Sequence, residues 1–294
     1  MKKTFAITCH KLNNPLIYTV NYLSSFPENT IIIHLDKKCS IDNFKILKAE
    51  NVFFIHERES IVWGGVSQIY ATINLLRESL RFNTQYFFLL SGDDIPVMSN
   101  RAMNKFLTEH SGFEFIHFQD HRNNHVDPVR RVKFRFLNVH YSRKTNLYAK
   151  VLRKMHYLLG FLFLNKVYLR ESLNFPVLYK GINWFGITND SVLFILNYIE
   201  RNPWYLNAFE NSLCCDEVFF HSILNTKKNA IFYIDPCGLN NALRYIDWTS
   251  GPQFPKILEE CDIQKINNKN IFFARKIPDE MPVELMQKFM GKDE

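Results

Sequence analysis

Gln85-Tyr86-Phe87-Phe88-Leu89-Leu90-Ser91-Gly92-Asp93-Asp94-Ile95-Pro96 decides how the chain is read. Residues 85–90 are strongly apolar and do not alternate, as in a strand covered on both faces. The run stops at the polar turn Ser91-Gly92-Asp93-Asp94. Strands covered on both faces belong to parallel sheets, whose ligands bind beyond the carboxyl ends of the strands.

Outward from this stretch the pattern repeats. Residues 3–9 read as a strand buried on both faces, followed by His10-Lys11 and a helix over 15–23. Residues 30–35 read as a second strand ending in Asp36-Lys37-Lys38, and Val52 to Ile55 as a short third. A helix over 66–81 follows Trp63-Gly64-Gly65; another is predicted over 100–107, and a strand over 113–118. Strands alternating with helices predict an α/β fold with a mostly parallel central sheet covered on both faces. His10, Asp36, Lys38, Asp93 and Asp94 then gather at the carboxyl ends. This is nucleotide-binding architecture without G-x-G-x-x-G or G-x-x-x-x-G-K-[ST], which argues against a dinucleotide dehydrogenase and a P-loop enzyme.

The 294 residues are 47% hydrophobic, ample for a large core. Net charge is +7, which favours anionic partners without choosing among nucleotides, nucleic acid and membrane. No nucleic-acid recognition motif is present. The six cysteines lack metal-type C-x-x-C spacing and read as reduced thiols of a cytosolic protein. The apolar run after Lys2-Lys3 is too short for a signal peptide, and no segment has the length of a membrane span. There are no repeats, no low-complexity linker and no clear domain boundary, so the expectation is one domain over 1–294. Its nucleotide-binding half is 1–118 and its acceptor and catalytic half 119–294.

Residues 121–171 change character, being rich in Arg, Lys and aromatics. Val151, Met155, Leu158, Leu159 and Leu162 recur at helical spacing among Lys150, Arg153, Lys154 and Lys166. Two readings stand: a helix packed on the sheet, or a basic amphipathic helix over 148–170 that docks on an anionic membrane surface. Further on, strand-like character returns at 178–188, 230–234, 243–248 and 271–276, with a helix over 191–200.

Cys214-Cys215-Asp216-Glu217-Val218-Phe219-Phe220-His221 reads as a helix start. Acidic residues in a first turn suit the helix dipole, and Glu217 projects from a rigid element that can hold a catalytic carboxylate. Asp93-Asp94 is either a turn or a pair for a divalent ion at a departing diphosphate. His10, His34 and His56 lack the spacing of a metal site, and no G-x-S-x-G elbow supports a Ser-His-Asp hydrolase. Lys256 and Lys276 are either surface charges or a pair that neutralises a diphosphate without metal.

With these residues in view, the chain resembles a bacterial member of glycosyltransferase family 14, which holds the core-2/I-branching N-acetylglucosaminyltransferases and the peptide O-xylosyltransferases. The resemblance runs from about 4 to 277 and is carried, in order, by Ile7–Lys11, Ile33–Lys38, Trp63–Ser67, Phe88–Pro96, Lys180–Phe185, Cys215–Glu217, Leu243–Trp248 and Phe273–Lys276. It implies a GT-A type, Rossmann-like fold, a UDP-sugar donor, a glycan acceptor and inversion at the anomeric carbon. It also implies Glu217 as catalytic base, and donor contacts from Thr8, Cys9, His10, Asp36, Lys37 and Lys38, with Asp94 beside them. Lys276 and, less closely, Lys256 match the basic residues on the diphosphate. Trp248 matches an aromatic of the sugar site, and Arg131 an acceptor-binding arginine. Trp184, Asp216 and Arg244 lie in the matching motifs and are expected on the substrate side.

No cofactor and no metal are expected. The implied reaction is transfer of N-acetylglucosamine, xylose or another sugar in bacterial surface-glycan synthesis. The acceptor would be lipid-linked at the inner face of the cytoplasmic membrane, with 148–170 as peripheral contact. The rivals are a metal-dependent transferase using Asp93 and Asp94, and a glycan- or nucleotide-binding module without catalysis.

Overall fold

The computed structural model describes residues 1–119, 126–142, 146–251, 255–266 and 269–290. Residues 121–125 and 143–145 of the basic segment lie outside them. Ten strands are described: β1 Lys3–Cys9, β2 Asn29–Leu35, β3 Val52–Phe54, β4 Tyr86–Ser91, β5 Ile95–Pro96, β6 Phe113–Glu114, β7 Gly186–Thr188, β8 Ile231–Phe232, β9 Arg244–Ile246 and β10 Phe273–Arg275. The α-helices are α1 Asn14–Ser24, α2 Ser67–Ser79, α3 Asn100–Glu109, α4 Pro128–Lys133, α5 Leu147–Leu158, α6 Lys166–Arg170, α7 Asn189–Arg201, α8 Pro203–Ala208, α9 Asp216–Leu224, α10 Ile263–Ile266 and α11 Val283–Lys288.

The central sheet runs β3-β2-β1-β4-β7. Its first four strands are parallel, and β7 closes one edge antiparallel to β4. The mostly parallel, helix-flanked α/β architecture predicted from the alternation is the one observed. Side chains alternate between two cores, because successive residues of a strand point to opposite faces. Ala6, Ile32, Phe87 and Leu89 meet α2, α7 and α9 on one face. Phe5, Ile7, Ile33, Phe88 and Leu90 meet α1 and α3 on the other. Side-chain caps fix helix starts: Asn13 on α1, Ser99 on α3 and Thr188 on α7 each accept a backbone N–H of the first turn. β5, β10 and β9 form a second, smaller sheet beside the carboxyl end of β4.

Several expectations change. The strand over 113–118 shrinks to β6, with Phe115 and Phe118 reduced to single bridges to Gly186 and Gly181. Of 178–188 only β7 is a strand. Gly186 lies so close to β4 that a Cβ there would sit 2.3 Å from the Phe88 ring. The helix over 148–170 is broken into α5, a 3-10 turn over Gly160–Phe163, and α6. The break follows from Asn165, whose side chain accepts the N–H groups of Val167 and Tyr168 and so starts a new helix. The short β5, α4, α8, α10 and α11 carry no periodicity that a sequence reading picks up. Among the described residues no helix is long and apolar enough to cross a membrane.

Candidate active site

The register of the central sheet builds one side of the site. Thr8 lies opposite His34 of β2 and Ser91 of β4. The residues that follow, Cys9-His10, Asp36 and Gly92–Asp94, therefore share one edge. The Thr8 hydroxyl donates to the Leu90 carbonyl at 3.3 Å. The Asp36 backbone N–H donates to the Cys9 carbonyl at 2.9 Å, tying the two strand ends together. Asp36 is buried; its carboxylate accepts the Lys38 N–H at 2.9 Å and lies 3.3 Å from Lys38 Nζ. His10, Lys37 and Lys38 are exposed at the edge, while the Cys9 side chain is buried and turned away from it.

Asp94 does not face this edge. It is fully buried, and its oxygens accept from the Ser91 N–H at 2.8 Å, the Ser91 hydroxyl at 3.1 Å and Arg244 at 2.8 Å. Arg275 Nε stands 3.3 Å away. Arg244 is equally buried, donating to the Leu89 carbonyl as well, so the expected substrate contact is instead a structural ion pair. Removal from water pulls the Arg244 guanidinium down to about 10 despite Asp94. Asp93 lies 3.7 Å from Lys11 Nζ and 4.0 Å from Arg275. The Asp94 carboxylate is thus hydrogen-bonded by Arg244 and Ser91 and ion-paired with Arg275. Among the described residues no group of three or more His, Cys, Asp or Glu is placed to hold a metal ion.

The basic residues arrive on the returning strands. The Leu258 N–H donates to the Lys276 carbonyl at 2.9 Å, which brings the backbones around Lys256 and Lys276 side by side. Lys256 Nζ is bonded to the buried Asp262 at 2.7 Å, and Lys265 reaches the same carboxylate at 2.8 Å. Lys256 thus enters the site partly neutralised, and Lys265 was not anticipated. The Ile277 N–H donates to the Asp93 carbonyl at 3.1 Å, which sets Lys276 next to the β4 turn. Trp248, 42% exposed, stands on the loop after β9, and the neighbouring Asp247 caps the Thr249 and Ser250 N–H groups at 2.9 Å.

Glu217 occupies the first turn of α9. The approach to that helix is fixed by the Trp63-Gly64-Gly65 loop. The Cys214 N–H donates to the Gly64 carbonyl at 2.7 Å, and Gln68 Nε2 donates to Asp216 at 3.2 Å. Gly64 has φ +72, a conformation that glycine adopts without strain. Asp216 is buried rather than open to substrate, and desolvation, then the Glu217 charge, push its carboxyl up to about 7. The Glu217 side chain is 28% exposed, so a hydroxyl can reach it while most of its surroundings stay dry. Arg131 Nη1 donates to Glu217 Oε2 at 2.6 Å and to the Cys214 carbonyl at 2.8 Å. Lys180 Nζ lies 3.3 Å from the same Oε2.

One short segment joins the two sides. The Gly181 N–H donates to the Glu217 carbonyl at 2.8 Å, and the Leu89 N–H donates to the Phe185 carbonyl at 2.9 Å. Between them Trp184 carries the Arg275 guanidinium 3.6 Å from its ring centroid. One face of the Trp184 ring, expected to stack on a sugar, is therefore covered by the cation that also approaches Asp94. Gly181 has no room for a side chain: a Cβ would lie 2.1 Å from both the His117 carbonyl and His221 Nε2. Lys180 and Arg275 were not nominated from sequence, although each stands in a quoted motif, beside Gly181 and Lys276 respectively.

Residues 4–271 match the sequence model of the family described as Core-2/I-Branching enzyme. Xylosyltransferase sqv-6 of Caenorhabditis briggsae is 23% identical over 286 residues, 89% of this chain and 33% of that protein. The human N-acetyllactosaminide beta-1,6-N-acetylglucosaminyl-transferase is 28% identical over 118 residues, 33% of this chain and 29% of that one. The chain thus spans about a third of the length of these curated relatives. Among solved structures, S. aureus TarS is similar with TM-score 0.29 and 14% identity, over 49% of this chain and 26% of that chain. On a match that runs from β1 almost to β10, the chain belongs to the core-2/I-branching enzyme family, glycosyltransferase family 14.

Proposed function

We propose that the protein is an inverting glycosyltransferase that moves a sugar from a UDP-sugar to a hydroxyl of a glycan. The observation that carries this is the Lys180–Phe185 segment. It connects a half-shielded carboxylate on a helix start, Glu217, to a cation-rich strand edge bearing Asp36, Lys38 and Lys276. Glu217 takes the proton of the acceptor hydroxyl as its oxygen attacks the anomeric carbon. A single displacement inverts that centre. Lys276, with Lys256 and Lys265 next to it, meets the negative charge that grows on the leaving diphosphate. Arg131 and Lys180 hold the Glu217 carboxylate in one position, which supplies orientation.

On this reading 1–118 holds the donor and the second half the acceptor. N-acetylglucosamine and xylose are the sugars suggested by the relatives' names. The setting we propose is a bacterial cell, with a surface glycan growing on a lipid carrier at the cytoplasmic face. The engagement of Asp94 by two arginines favours a metal-free diphosphate site over the metal-dependent rival.

The test is a thermal-shift screen of UDP-N-acetylglucosamine, UDP-xylose and UDP, each with and without Mn²⁺, followed by UDP release with acceptor. Ligand binding to the native state raises the melting temperature by mass action. A rise without metal is expected. A rise that requires Mn²⁺ moves the diphosphate site to Asp93, and no rise with any UDP compound overturns the donor assignment.

A further inference from the structure

Helix α5 is built inside out. The residues it turns inward are Ala149, His156 and Arg153, the last donating from Nη2 to the Val139 carbonyl at 2.8 Å. Its apolar stripe, Leu147, Val151, Met155 and Leu158, faces outward and continues into Phe161 and Leu162 on the following turn. Leu158 and Phe161 are each 66% exposed. Of the twenty-five large hydrophobic side chains exposed among the described residues, twelve lie between 147 and 177, about a tenth of the chain. Monomeric proteins rarely leave apolar side chains contiguous on the surface without a partner.

The charge on the same segment says what the partner is. Residues 126–177 contain eleven Lys and Arg against two Asp and Glu, a net of nine positive charges. The whole chain carries +7, so the rest of it is slightly acidic and all of the surplus lies here. Residues 146–170 contain no acidic residue. Lys150, Lys154, Lys166 and Arg170 are exposed around the apolar stripe. Long cationic stems beside Leu, Phe and Tyr suit an interface where apolar groups enter acyl chains and cations stay among phosphates. A second copy of the chain fits poorly, because a twofold contact through this face would set these cations against their own images.

We propose that α5, the Gly160–Phe163 turn and α6 dock the protein on an anionic lipid bilayer. Docking is coupled to the site through backbone bonds: Arg135 N–H to the Phe163 carbonyl at 2.7 Å, and Asn165 N–H to the Lys133 carbonyl at 2.9 Å. These bonds anchor the docking segment to the end of α4, which carries Arg131. That docking serves a lipid-carried acceptor rests on the transferase reading; the docking itself does not.

The experiment is co-sedimentation of the full chain with phosphatidylcholine vesicles, with and without phosphatidylglycerol, at low and high salt. Binding is expected to vesicles with phosphatidylglycerol and to weaken with salt. The triple variant Lys150→Gln/Lys154→Gln/Lys166→Gln should bind roughly a hundred-fold more weakly. Leu158→Ser/Phe161→Ser/Leu162→Ser should lose binding even at low salt. Thermal melting of both variants shows whether they fold; if either does not, the lipid and salt dependence of the unaltered chain still decides. Binding to neither vesicle, or equal binding to both, overturns the proposal. So does a dimer of the unaltered chain that the serine variant converts to a monomer, which assigns the face to a second copy.

Discussion

Arg131 reaches Glu217 across the base of α9 at 2.6 Å, and the same guanidinium holds the Cys214 carbonyl just before that helix. One cation therefore sets both the start of α9 and the direction of its carboxylate. Glu217→Gln keeps the shape and removes the carboxylate we propose as proton acceptor, so transfer should fall by roughly 10²–10⁴-fold or more with UDP affinity near normal. The check is turnover by UDP release alongside calorimetric UDP binding. Undiminished turnover removes Glu217 from the base role.

Lys180 should act by position. Lys180→Met leaves Arg131 in place but frees one side of Glu217, and a carboxylate displaced by about an ångström costs on the order of 100-fold in rate. Steady-state kinetics should show the loss mainly in kcat, with donor KM little changed. A loss confined to donor KM would place Lys180 at the diphosphate instead.

Arg244→Met should destabilise the fold by about 3–5 kcal/mol, because it leaves the fully buried Asp94 short of one partner. Urea denaturation measures this. A drop below about 1 kcal/mol, the range of exposed ion pairs, would contradict the burial of the pair.

Gly181→Ala would drive a methyl group into the His117 carbonyl and the His221 ring, both 2.1 Å away. Overpacking against backbone costs about 3 kcal/mol or more, and the Glu217 carbonyl loses its Gly181 N–H if the segment moves. Melting temperature and turnover should fall together.

Stability should also fall with acid. Burial, then the charges of Lys180 and His117, hold His221 down to about 3, against 6.5 for an ordinary histidine. The unfolded chain therefore binds a proton that the folded chain refuses, and stability is lost as pH falls from 6.5 towards 3. Between pH 6.5 and 5 the loss is about 2 kcal/mol. His221→Gln should flatten this part of the curve of denaturation midpoint against pH; an unchanged slope would assign it to other groups.

The four parallel strands were legible because each is a local run of apolar residues, and the strand-end positions of Asp36 and Asp93 followed from them. The small sheet was legible only in part: 243–248 and 271–276 read as strand-like and hold β9 and β10, but β5 and the pairing of the three were not anticipated. β5 and β10 are two and three residues long and exist through pairing with distant strands, which no local pattern records. Asp94 was read as ligand-facing from its place after a strand, and Arg244 from its place in a matching motif; here each is the other's partner inside the core. Arg153 sits among cations on a helix diagram, yet its guanidinium turns inward to carbonyls. Lys180 was not singled out, because Glu217 comes beside it only in the folded chain.

Asp94 and Arg244 are 150 residues apart in the chain, and Lys11 and Asp279 are 268 apart. The edge expected to hold the nucleotide is therefore finished by segments far downstream in the chain. At about 5–20 residues per second of synthesis, the first strands wait on the order of ten seconds for the arginines that neutralise Asp94. During that interval β1, β2 and β4 can pair, but Asp94 has neither arginine and the turn has no β10 beside it. A nascent or prematurely ended chain would have the central sheet without the arginines that pair with Asp94.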